Sequence, residues 1–250
     1  MSWSALDSNY DPENGLRKSV INRALQSTLR SFFRFCKKQG YIRHDLAESV
    51  PPIRTYKLAT VPQGLSDQDV QKILAHIDRT KPAGLRDFAI IQLLRTYGIR
   101  GRQVCALQLK DIQWSQSRIR FAAMKGGKEI VDPLTHEVGE SLMDYLRCGR
   151  PQAAWPEIFL TAHAPIHPIR NNSTITVMVA ERMRRAGVTI PVKGSRAFRH
   201  AFATRMLQHG QSMKAIADML GHIDINTTFI YTKVDLNTLY QLPLDWPEVQ

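Results

Sequence analysis

The spacing of apolar residues along this chain switches from the helical period to alternation in one place, and that switch sets the fold class. From Leu16 to Lys38 the residues Val20, Ile21, Leu25, Leu29, Phe32, Phe33 and Phe35 recur at three- and four-residue steps, and Gly40 is placed to end the helix. The helical period continues in Val70, Ile73, Leu74 and Ile77 behind Ser66 and Asp69, which have the spacing of a helix-capping pair. Leu85 to Tyr97 forms a strongly apolar helix closed by Gly98, and Val104 to Leu109 predicts a short third one. Arg118 to Ala122 and Glu129 to Pro133 then alternate as strands around Lys125-Gly126-Gly127-Lys128, which predicts a β-hairpin with Lys125 at its tip. Helices resume at Val138 to Leu146, Ile175 to Ala186, Arg196 to Leu207 and Met213 to Leu220. The expected fold is mainly α with a small antiparallel β-hairpin sheet.

Pro51-Pro52 and the stretch through Pro62 to Gly64 interrupt this periodicity as a linker. The expected organisation is a short helical region at 1–50, a linker at 51–63 and a larger domain at 64–250, with residues 1–14 as a loose lead-in. Arg17, Lys18, Arg23, Arg30, Arg34, Lys37 and Lys38 load the outer face of the first helix with positive charge. Across the chain the formal charge is +12, and a surplus of that size suits a polyanionic partner, nucleic acid first. A merely basic, well-solvated surface is the other reading of charge alone. No apolar run is long enough to cross a bilayer, and Met1-Ser2-Trp3-Ser4 lacks the start of a secretory signal, so a cytoplasmic protein with no membrane partner is expected. Cys36, Cys105 and Cys148 are odd in number and far apart, which predicts buried or inert thiols.

Several residues can carry phosphate chemistry. Arg100 stands just past Gly98, where a guanidinium can project from a rigid edge as a planar fork for phosphate oxygens. Lys125 on a hairpin tip can give a proton to a departing alkoxide. Arg196 and Arg199 lie three apart at a helix start, where an anion held between them would relieve their conflict with the helix dipole; salt bridging explains the pair equally well. His200 reads as a buried histidine packed behind the site. His222, just beyond a helix end, is either a cap or a proton carrier, and Tyr231 is either half-buried packing or a nucleophile that needs help to lose its proton. His163 and His167 have the spacing of a helical zinc pair, but Pro165 and Pro168 forbid that helix. A site of two arginines, a lysine, a histidine and a tyrosine needs no metal or nucleotide cofactor.

In their order and separation these segments resemble the tyrosine recombinase (phage integrase) family over about residues 64–235. Tyr97-Gly98-Ile99-Arg100 with Leu107 and Asp111-Ile112 is similar to the family's first arginine box, and Met124 to Lys128 to its hairpin lysine. Phe198-Arg199-His200-Ala201-Phe202-Ala203-Thr204 is similar to the second arginine box. Leu220-Gly221-His222 through Thr227-Thr228 to Tyr231 is similar to the histidine and nucleophile segment. The resemblance implies a recombinase catalytic domain preceded by a helical DNA-binding region, acting on double-stranded DNA as a site-specific recombinase or integrase of a mobile element. By the same resemblance Tyr231 attacks the scissile phosphate, Arg100 and Arg199 clamp its oxygens, Lys125 protonates the leaving oxygen and His222 assists proton transfer, without metal or ATP. A homo-tetramer on DNA is also implied, with Leu236, Leu239, Tyr240, Leu242 and Trp246 packing between subunits.

This sequence departs from the family pattern in three places. Arg196 stands where the family usually has a histidine; it can contact phosphate but cannot exchange protons. Gln103 replaces a glutamate three residues after the first arginine, and residues 1–50 offer less than a multi-helix clamp. Two alternatives follow: a catalytically impaired DNA-binding remnant of the family, or a type IB topoisomerase-like relaxing enzyme.

Overall fold

The computed structural model describes residues 12–51, 64–124, 129–192, 194–221 and 228, with the backbone alone for 12–24. The chain divides into two compact units, Met1–Ala59 and Thr60–Gln250.

The first unit is built on α1 (Pro12–Lys38), which begins earlier than its apolar period does. It ends where predicted: Gly40 takes φ 77°, Gly40 N–H donates to the Lys37 carbonyl at 3.1 Å, and Tyr41 N–H donates to the Cys36 carbonyl at 2.9 Å. This is the paired-bond helix stop that glycine makes possible. Gln26 Nε2 and Arg30 Nη2 donate to the carbonyls of Pro51 and Val50 at 2.7 and 2.9 Å, so the following segment folds back along α1.

The second unit holds α2 (Asp67–Ala75), α3 (Pro82–Tyr97), α4 (Gly101–Ala106), β1 (Ile112–Gln113), β2 (Arg118–Phe121), β3 (Ile130–Pro133), α5 (His136–Asp144), α6 (Asn172–Arg185), α7 (Ser195–Gln208) and α8 (Met213–Met219). The predicted cap of α2 is present, with Asp69 N–H donating to Ser66 Oγ at 3.1 Å and Ser66 N–H donating to Asp69 Oδ2 at 3.3 Å. The core forms around α3. Every residue from Ala89 to Leu94 is buried, and a helix apolar on all sides belongs in the interior. α2, α4, α5, α6 and α7 pack on it. Asp87, 2% exposed, is the charged exception. Its Oδ1 accepts from Arg86 Nε and Nη2 at 3.0 and 2.9 Å, and its Oδ2 from Arg182 Nε and Nη2 at 3.0 and 2.6 Å, which fastens α3 to α6.

The sheet is three-stranded and antiparallel in the order β1-β2-β3, one strand more than the hairpin read from sequence. β1 is only two residues long, too short to show alternation. Phe121 pairs with Ile130 and Arg118 with Pro133, so Ile119 and Phe121 point into the core. The Tyr97 ring lies 5.2 Å from that of Phe121, and its hydroxyl donates to the Pro133 carbonyl at 2.8 Å, tying α3 to β3. Arg120 Nε and Nη2 donate to the buried Asp111 Oδ1 at 3.0 and 2.6 Å and brace the outer side.

Cys36 and Cys105 are buried as expected, and burial raises the Cys105 thiol to about 11; Cys148 is exposed. Among the described residues no helix is long and apolar enough to cross a membrane, and no cluster of His, Cys, Asp and Glu could hold a metal ion.

Candidate active site

The site is assembled where the C-terminal end of α3 meets α7. Gly98 caps α3 with φ 58° and ψ 20°, a conformation that costs glycine little. Its missing side chain matters equally, because a Cβ there would stand 2.7 Å from the Phe202 ring of α7. The close approach lets Arg199, 9% exposed, donate from Nη1 to the Gly98 carbonyl at 2.9 Å. From Nη2 it donates to the Leu220 carbonyl at 2.7 Å.

Arg100 reaches the same place from another direction. The backbone leaves the helical range at Arg100 (ψ 144°), which becomes the N-cap of α4. The short helix therefore begins three residues earlier than its apolar pattern suggested. Gln103, buried, accepts the Arg100 backbone N–H on Oε1 at 3.0 Å and donates from Nε2 to the Ala122 carbonyl at 3.4 Å, just beyond β2. The Arg100 side chain then donates from Nη1 to the carbonyls of Leu220 and Gly221, both at 3.4 Å.

Two guanidiniums thus meet on the backbone at the end of α8. Carbonyls at a helix C-terminus carry partial negative charge and offset the repulsion between the cations. A guanidinium has five N–H donors, so it can grip a carbonyl and a phosphate oxygen together. Beside them, Gly101 leaves room for Asn172 at the start of α6 and for Ser195 at the start of α7; a Cβ on Gly101 would collide with Asn172 Oδ1 and lie 3.2 Å from Ser195 Oγ. The N-termini of α6 and α7 therefore close on the same edge, which favours an anion.

Arg196 and Arg199 differ more than their spacing implied, since Arg196 is exposed and Arg199 buried. His200 is half-buried behind them. Burial lowers its pKa, and the neighbouring Arg199 and Arg196 charges lower it further, all three favouring the neutral ring. Lys125, His222 and Tyr231 lie outside the described residues. Leu220 and Gly221, on which the arginines converge, immediately precede His222 in sequence, and Thr228 is buried three residues before Tyr231. The Leu220 carbonyl is not legible in the sequence, because a backbone acceptor has no residue signature. Gln103, by sequence a lost charge, has the separation from Arg100 of a capping pair and serves as one.

In this helical domain with its small sheet, two arginines are joined on one helix end, an arrangement that can hold a phosphate. Residues 63–237 match the Phage integrase family, and the chain belongs to that family of tyrosine recombinases. It is 39% identical over 225 residues to the y4rA protein of Sinorhizobium fredii (strain NBRC 101917 / NGR234), named as an integrase/recombinase; the match covers 90% of this chain and 54% of that protein. The chain thus spans about half the length of that relative. It is 30% identical over 224 residues to the tyrosine recombinase XerD of Ralstonia nicotianae (strain ATCC BAA-1114 / GMI1000), covering 86% of this chain and 69% of XerD. Its fold is shared with the XerH site-specific recombinase bound to a palindromic difH substrate in a post-cleavage complex, at a TM-score of 0.67 and 22% identity over 93% of this chain and 71% of that one. A lambda integrase(75-356) dimer bound to a COC′ core site is also similar in fold, at a TM-score of 0.60 and 16% identity over 86% and 77% of the two chains.

Proposed function

We propose that this protein is a site-specific DNA recombinase or integrase that cuts and rejoins DNA strands through a 3′-phosphotyrosyl intermediate. The observation that carries this reading is the convergence of Arg100 and Arg199 on the Leu220 carbonyl. It holds two planar cations side by side at the segment leading to His222 and Tyr231, as an in-line attack at phosphorus requires.

In the proposed reaction the Tyr231 oxygen forms a bond to the scissile phosphorus, and the bond from phosphorus to the 5′-oxygen breaks. Arg100 and Arg199 neutralise the non-bridging oxygens as charge builds on them. His222 assists in removing the tyrosine proton, and Lys125 gives a proton to the departing 5′-oxygen. Arg196, exposed at the start of α7, adds a contact to a neighbouring phosphate. One phosphodiester is exchanged for another, so the bond energy is kept and neither ATP nor a metal is called for. A 5′-hydroxyl from a partner strand reverses the step and completes strand exchange. The proposed partners are double-stranded DNA and, on it, three further copies of the chain, with the work done in the cytoplasm. In domain terms, 64–250 is the catalytic part and 1–50 a short helical region that adds to DNA binding.

The test is covalent trapping. Wild type and Tyr231→Phe are incubated with nicked suicide duplexes drawn from the ends of the element that encodes the protein, then denatured. The expected result is a protein–DNA adduct from wild type and none from Tyr231→Phe. Binding to those duplexes with no adduct from either would assign the chain to DNA binding without catalysis.

A further inference from the structure

α7 carries Arg199, and two glycine backbones run against this helix within three residues of it. Gly98 meets it at Phe202. Gly64, on the segment entering α2, meets it at Ala201: a Cβ on Gly64 would stand 2.7 Å from Ala201 N, 2.8 Å from Ala201 Cα and 3.2 Å from the His200 carbonyl carbon. These are helix backbone atoms, and they cannot rotate aside as the end of a side chain can. Gly64 is fixed from its other side too. Leu65 is buried in the main core, and Ser66 is tied into the cap of α2 by its bonds with Asp69. The first turn of α7 enters the same core through Ala197 and Phe198. Neither partner can retreat without disturbing packed residues.

We propose that Gly64 is a positioning residue for the phosphate clamp. Its lack of a side chain lets the chain lie directly on the α7 backbone at Ala201, and so sets Arg199 where its two Nη atoms reach the Gly98 and Leu220 carbonyls together. This rests on the reading of Arg199 as a phosphate ligand given above. Pushing α7 by a few tenths of an ångström stretches the bonds at 2.9 and 2.7 Å and separates Arg199 from Arg100 at their shared acceptor. A misplacement near 1 Å costs a reaction on the order of 100-fold in rate.

The test compares Gly64→Ala with Leu65→Ala, which loses packing in the same segment without pushing on α7. Three quantities are read on the full chain: the guanidinium NMR signals of Arg199, assigned by their loss in Arg199→Lys; the thermal midpoint; and adduct formation on duplexes with either a phosphodiester or a methylphosphonate at the scissile position. A methylphosphonate lacks the anionic oxygen that an arginine neutralises. A displaced arginine therefore harms its cleavage less, whereas general damage harms both substrates alike. Gly64→Ala is expected to shift the Arg199 signals and to slow phosphodiester cleavage about 10- to 100-fold, with a much smaller loss on the methylphosphonate. Leu65→Ala is expected to lower the thermal midpoint and leave signals and rates near wild type. Unchanged Arg199 signals in Gly64→Ala, or equal losses on both substrates, would overturn the proposal. If Gly64→Ala does not fold, a single glycine inserted after Gly64 loosens the contact without adding a Cβ, and the same Arg199 signature decides. If wild type forms no adduct on any duplex, the proposed function fails, and the NMR comparison still decides the role of Gly64: shifted signals support it and unshifted ones overturn it.

Discussion

Leu220 contributes no side-chain chemistry to the site, yet its carbonyl is the atom on which two catalytic candidates meet. Arg199 reaches it with one Nη while the other reaches Gly98, a span that suits a rigid fork. Lysine offers a single nitrogen and lacks the two separated nitrogens with which the guanidinium fork meets the two carbonyls. Arg199→Lys is therefore expected to slow adduct formation by about 100-fold or more while keeping most DNA affinity, as single-turnover trapping beside a binding titration would check. His200 gives a pH prediction. Burial, Arg199 and Arg196 all depress its pKa below the ordinary 6.5, so the unfolded chain takes up a proton before the folded one does. The stability due to its neutral form is present above about 6.5 and is lost as pH falls toward the folded-state value. Thermal midpoints measured from pH 7.5 down to 5 are expected to drop more steeply for wild type than for His200→Gln.

Among the elements, α3 and α6 are joined by an ion triad inside the core. Asp87 is clamped by Arg86 and Arg182, whose side chains are 15% and 16% exposed. Removing the carboxylate leaves two desolvated cations together. Asp87→Ala is expected to cost about 3–5 kcal/mol in denaturant unfolding. The sequence announced both helices but not this link, since Asp87 and Arg182 are 95 residues apart and no local period relates them. The same distinction runs through the fold. Helix caps at Ser66, Gly40 and Gly98 were legible because each is a local backbone requirement with a characteristic residue. The paired strands β2 and β3 were legible from alternation. β1 was not, because two residues cannot alternate; it pairs with β2 through Ile112 and Gln113, beside the contact of Arg120 with Asp111. In the site, the arginines stood out by their order along the chain. The atoms that orient them, the carbonyls of Gly98 and Leu220 and the amide of Gln103, depend on three-dimensional approach and left almost no trace.

For the whole molecule the dominant quantity is charge. A formal +12 over 250 residues predicts DNA binding that weakens steeply with salt, since each neutralised phosphate releases counterions. Arg196 is an exposed cation at the start of α7, three residues before Arg199. Arg196→Ala is expected to reduce the slope of log K against log salt by about 1 while leaving the unfolding free energy within about 0.5 kcal/mol of wild type. An unchanged slope would remove Arg196 from the DNA contacts. The membership of residues 63–237 in the phage integrase family and the joined arginine pair lead to one chemical claim, that a tyrosine of this chain becomes covalently bonded to DNA. Its most direct measurement is peptide mapping of the trapped adduct by mass spectrometry, with end-labelling of the released strand. The proposed reaction leaves a nucleotide 3′-phosphate on the peptide that contains Tyr231, and a 5′-hydroxyl on the departing strand. An adduct on another residue, or one linked through a 5′-phosphate, would contradict it.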